Sequence, residues 1–161
     1  MKLASIIFLL LLPFLCHAED MMKYVQDTNA LVENGEYKKA LGRTIWFHNH
    51  ALEYDIGMYG VRLSFALNDW VDLGEKYPPA LKTLKNIRDT KTERLTSGSG
   101  NPNLFIDVFA INQALSENEK TIKLFKKLEI TQPKLASRVW PMIKDMAAKE
   151  NEAALLKKYG N

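Results

Sequence analysis

Two histidines and two carboxylates, His48, His50, Glu53 and Asp55, form the one cluster in this 161-residue chain whose residue types suggest chemistry. Imidazoles and carboxylates are the usual ligands of zinc-like metals. A carboxylic acid beside a histidine is also a general acid-base pair. Spacing restricts the first possibility: side chains two apart on a helix point about 200° away from each other, so His48 and His50 cannot clasp one ion. His50 and Glu53 together supply only two ligands, and we expect no metal site. The sequence lacks a P-loop, a dinucleotide-binding glycine fingerprint, HExxH and GxSxG, so no cofactor is expected and a non-enzymatic protein is the first reading. The alternative is a small exported hydrolase in which Glu53, Asp55 or Asp69 acts as acid with His50 nearby.

Trp46 shares the face of His50 and Glu53, opposite the apolar stripe of its helix. An aromatic anchor beside an ionisable pair has the composition of a recognition surface. The same tryptophan could instead fill the interface with a neighbouring helix, and the sequence leaves both readings open. Arg62 and Asp69 lie on or near the polar side of the next helix, where they either extend a polar rim or are simply solvated. Trp46, His50, Glu53, Arg62 and Asp69 are thus the candidate partner-binding residues.

The elements that position them follow from apolar spacing. Tyr24, Val25, Thr28, Leu31 and Val32 recur at helical steps until Asn34-Gly35. A second helix over about Tyr37 to Tyr54 places Ala40, Leu41, Thr44, Phe47, His48, Ala51 and Leu52 on one stripe. Tyr59, Leu63, Ala66, Trp70, Leu73 and Tyr77 predict a single third helix over about Met58 to Tyr77. Pro78-Pro79 open a fourth helix, which carries Ala80, Leu81, Leu84, Ile87 and Arg88 to about Leu95. Residues 96–102, rich in Gly and Ser, read as an internal linker. Beyond it, Leu104, Phe105, Val108, Phe109, Asn112 and Leu115 form the next stripe. Ser116 and Glu119 have the spacing of a capping box for the helix after that. A helix from Pro133 is expected to bend or break at Pro141, and a last one holds Leu155, Leu156 and Tyr159.

Before these helices, Lys2, the apolar run Leu3 to Leu15 and Cys16-His17-Ala18 have the form of a secretory signal peptide, with cleavage expected after Ala18. Residues 19–161 then form one helical domain without cysteine, exported to a periplasm or the medium, with no stable membrane span. A lipid anchor on Cys16 would require a small preceding residue, and Leu15 is bulky. Without the leader, 21 basic side chains face 19 acidic ones, too even a balance for nucleic-acid binding. From Asn118 onward there are 10 Lys and Arg against 5 Asp and Glu, so the last third is basic.

Trp70, Leu73, Gly74 and Tyr77 match the W-x-x-L-G-x-x-Y pattern of a tetratricopeptide repeat, and Gly35 to Leu41 is similar to that family's turn and second-helix start. Residues 20–95 therefore resemble a degenerate member of this superfamily, although Pro78-Pro79 interrupt the pattern. The resemblance implies an all-α stack of antiparallel hairpins, about seven or eight helices after the leader. It also implies a groove that binds a peptide or protein.

Overall fold

A computed structural model describes residues 20–160, so the leader, its cleavage site and Cys16 lie outside the described residues. Those residues contain nine α-helices and no strand: α1 Met21–Glu33, α2 Tyr37–Tyr54, α3 Tyr59–Leu63, α4 Phe65–Lys76, α5 Pro78–Arg94, α6 Pro102–Ala114, α7 Asn118–Thr131, α8 Pro133–Lys149 and α9 Ala153–Tyr159. None is long and apolar enough to cross a membrane.

Pairing follows from how the helices end. The α1/α2, α6/α7 and α8/α9 turns each place one residue in the left-handed region: Gly35 at φ 77°, Ser116 at 56° and Asn151 at 57°. Each turn is closed by an amide-to-carbonyl bond across it: Glu36 to Leu31, Glu117 to Asn112 and Glu152 to Ala147. This arrangement satisfies carbonyls that a helix end otherwise leaves free. Ser116 is therefore the left-handed stop of α6, and the expected capping box with Glu119 does not form. The α4/α5 turn uses Tyr77 and the two prolines instead. There Trp70 Nε1 donates to the carbonyl of Ala80 at 3.0 Å. A Cβ on Gly74 would lie 2.8 Å from Leu81 Cβ, so the glycine permits the close approach of α4 and α5.

The hairpins stack in order. The leading helices α1, α4 and α6 each touch the next leading helix, α4, α6 and α8 in turn, while α2, α5 and α7 each pack against the leading helix of the following hairpin. Leading helices thus have neighbours behind them and on their flanks, which leaves one side uncovered among the described residues. Three apolar clusters fill the interior. Met21, Phe47 and Ala66 belong to the first; Trp70, Leu84 and Ile111 to the second; Phe105, Phe125 and Ile143 to the third. Helix α6 serves two of them, giving Ala110 and Ile111 to the second and Leu104, Phe105 and Val108 to the third.

The structure bears on three expectations about helix continuity. The single third helix is divided at Ser64 (φ −130°, ψ −90°), whose hydroxyl donates to the carbonyl of Gly60 at 2.7 Å. This division accounts for a count of nine helices where seven or eight are expected. Helix α8 runs through Pro141 without interruption. Pro141 and Ser137 are both exposed, so the carbonyl that loses its intrahelical donor can be hydrated. Residues 96–102, half-buried or exposed, connect α5 to α6 through a π-helical turn over Leu95–Ser99 with Gly98 at φ 96°, then extended Gly100 and Asn101. Leu95 is fully buried, and its carbonyl accepts from Gln132 Nε2.

Candidate functional site

The five candidate side chains occupy three separate places. Trp46, His50 and Glu53 do share one face of α2. The Trp46 ring lies 4.9 Å from Tyr24, 5.5 Å from His50 and 5.4 Å from Tyr54, centroid to centroid. Tyr24 is nearly buried and Arg43 stacks on it, with the guanidinium carbon 3.7 Å from the ring centre. Trp46 is half-buried, joining the edge of the first cluster while leaving part of its ring in water. His50 Nδ1 is 3.2 Å from both Glu53 oxygens, and the two side chains are 43% and 65% exposed. The Glu53 carboxylate stands largely in solvent. Asp55 is engaged locally, accepting from the amide of Gly57 at 2.8 Å.

Arg62 corrects the reading that placed it on a polar rim. It is 8% exposed and inserted between hairpins, where Nη1 and Nη2 each donate to an Asp107 oxygen at 2.8 Å. Its Nε donates to the carbonyl of His48 at 2.7 Å, and Lys91 Nζ also bonds Asp107. The short helix α3, cut off at Ser64, is what carries Arg62 to α6. Burial opposes ionisation of Asp107, but hydrogen bonds from Arg62 and Lys91 outweigh it and hold the carboxyl below its usual range. His48 sits beside this triad, 3% exposed and edge-on to Trp70 at 5.7 Å. Burial, followed by the positive charges of Arg62 and Lys91, pulls its pKa down to about 3. The ring is therefore neutral, and its Nε2 has no hydrogen-bond partner among the described residues.

A second buried group links α5, α6 and α7. Arg88 bonds Asn112 Oδ1 at 3.1 Å and also Glu117, while Asn112 Nδ2 donates to Thr121 at 3.0 Å. Burial disfavours the Glu117 carboxylate, yet Lys120 and Arg88 hold it well below the normal range. His48, Arg88 and Asn112 all lie on stripes that read as apolar in the sequence. That misfit is the available sequence signal for these networks, because a polar residue on a core face needs a partner.

Asp69 is separate again. It lines a narrow cleft between α1, α2 and α4 with Val25, Thr28 and Phe47, and accepts from Asn29 Nδ2 at 3.0 Å. The leading helices also carry exposed positions that recur at helical steps. On α4 they are Phe65, Asn68, Asp72 and Glu75; on α6 the least buried are Asn103, Ile106, Phe109 and Gln113. On α8 they are Arg138, Met142, Asp145 and Lys149, and Phe109 shares a trough with the last three. Helix α1 adds Met22 and Glu33. Phe65 is 70% exposed, Met22 42% and Met142 36%. Sequence reasoning missed this surface because it sought the apolar stripe of each helix and treated the opposite face as polar.

No family model, curated protein or solved structure matches the chain. Among the described residues no group of three or more His, Cys, Asp or Glu is placed to hold a metal ion.

Proposed function

We propose that this protein is an exported, non-enzymatic binding module of the tetratricopeptide-repeat type, which takes a peptide or protein on the free face of α1, α4, α6 and α8. Export rests on the leader pattern of residues 1–18, and the repeat type on the Trp70, Leu73, Gly74 and Tyr77 motif. The observation that carries the binding reading is Phe65. A phenylalanine that is 70% exposed on α4, with Ile106 and Phe109 half-buried on the next leading helix, leaves apolar area in water that a partner would cover. Arg62 has no part in that face, and Trp46, His50 and Glu53 belong to a different side of the first hairpin.

The test is site-specific photocross-linking in cells that make the protein, with the cross-linker at position 65 or at position 46. A discrete adduct from position 65 that disappears in a Met142→Ser background is the expected result. Adducts from position 46 alone would reject the leading-helix face and return the interaction to Trp46.

A further inference from the structure

The free face is not uniform along the helices. Short turns make α1, α4, α6 and α8 run in the same direction, so their amino-terminal halves lie together and their carboxy-terminal halves lie together. Met22, Phe65 and Ile106 lie in the first halves. Glu33, Asp72, Glu75 and Asp145 lie in the second halves, all exposed, with Lys76 and Lys149 as the basic residues of that band. None of these four carboxylates enters a salt bridge among the described residues, whereas buried Asp107 and half-buried Glu117 are each paired with two or more cations. Helix carboxy-terminal ends carry partial negative charge, which adds to the potential of the acidic band. On α1 and α4, Met22 and Phe65 thus lie toward one end of the face and Glu33, Asp72 and Glu75 toward the other, while Phe109 and Met142 extend the apolar area into the second halves of α6 and α8.

We infer that the occupant of this face is a peptide segment whose apolar side chains are flanked on one side by lysines or arginines. The inference rests on the binding reading above and adds the partner's chemistry. Apolar side chains of the segment would cover Phe65 and Ile106, while its cations would meet Asp72 and Glu75. An acidic flank would meet like charge and lose affinity. An exposed acidic band is screened by salt, so the discrimination should weaken as ionic strength rises.

The experiment uses three synthetic peptides of one length with identical apolar positions and flanks of lysine, glutamate or glutamine, titrated against the protein by fluorescence anisotropy. The lysine peptide should bind about tenfold more tightly than the glutamate peptide. Phe65→Ser should abolish binding of all three, and Asp72→Lys with Glu75→Lys should reverse the preference. These positions are exposed, so the variants should keep the native melting temperature. Equal binding of the three peptides that is lost with Phe65→Ser would overturn the charge assignment and leave the face standing. Binding unaffected by Phe65→Ser, or no binding at all, would overturn the proposal, and cross-linking from position 65 then judges the face on its own. Concentration-dependent self-association abolished by Phe65→Ser would make a second copy the occupant and likewise reject this partner.

Discussion

The junction between the second and third hairpins and the junction between the third and fourth are built from different materials. At the first, Arg62, Lys91 and Asp107 meet in the interior, and Arg88, Asn112 and Glu117 meet one turn of α6 and its end further along. At the second, Phe105, Phe125, Leu128, Val139 and Ile143 meet with almost no exposure, and the ion pairs Lys126–Glu152 and Lys158–Glu129 stay at the rim. Apolar side chains accept many neighbouring registers, whereas a bidentate guanidinium and carboxylate accept few. The comparison suggests that charge fixes how α3, α5 and α6 meet, while hydrocarbon fills the rest.

The sharpest way to break that contrast is Asp107→Ala, which strands Arg62 and Lys91. Removing one partner of a buried ion pair costs about 3–5 kcal/mol, and urea denaturation should detect it. A loss no larger than that of a surface substitution would reject the importance of the triad. Replacing Arg62, Lys91 and Asp107 together by apolar residues of similar size should recover most of that loss. At the apolar junction, Ile143→Ala should cost about 2–4 kcal/mol through the cavity it leaves, with no pH dependence.

Acid should separate the two junctions further. His48 is neutral in the fold with a pKa of about 3, against 6.5 in the unfolded chain. As pH falls below 6.5 the unfolded chain takes up a proton that the fold refuses, so stability declines by up to about 1.4 kcal/mol per pH unit. Asp107 and Glu117, both held low, contribute stability that is lost only below the ordinary carboxylate range, near pH 4. His48→Leu should therefore flatten the melting temperature between about pH 6.5 and 5 while leaving the steeper loss below. An unchanged slope would mean that His48 is protonated in the fold. The smallest effect belongs to the rim, where Lys126→Ala should change stability by less than about 1 kcal/mol.

The positions where the sequence was legible and where it was not have physical reasons. Gly35 stops α1 because few other residues take its backbone angles so easily, and Pro78-Pro79 start α5 because prolines fit a first turn. The break at Ser64 escapes periodicity because the apolar residues at 59, 63, 66, 70, 73 and 77 keep their spacing through it. Pro141 does not break its helix, since a missing amide on a solvent-facing side leaves no buried acceptor. Arg62 looked solvated because its partners, the Asp107 carboxylate and the His48 carbonyl, stand 45 and 14 positions away, and no local pattern links them. Phe65 was not legible as a surface, because it falls off the apolar stripe of its helix and only the fold shows that it stays 70% exposed.

Helix α6 gives residues to two of the three apolar clusters and anchors both charged groups. It can lose its structure only if both sides of the stack open, so its central amides, Val108 to Ile111, should exchange with solvent deuterium only through global unfolding. The same position makes a cut on either side of it ineffective as a way to obtain independent halves. A fragment ending before Pro102 would lack the carboxylate that neutralises Arg62, and one beginning there would expose Ala110 and Ile111.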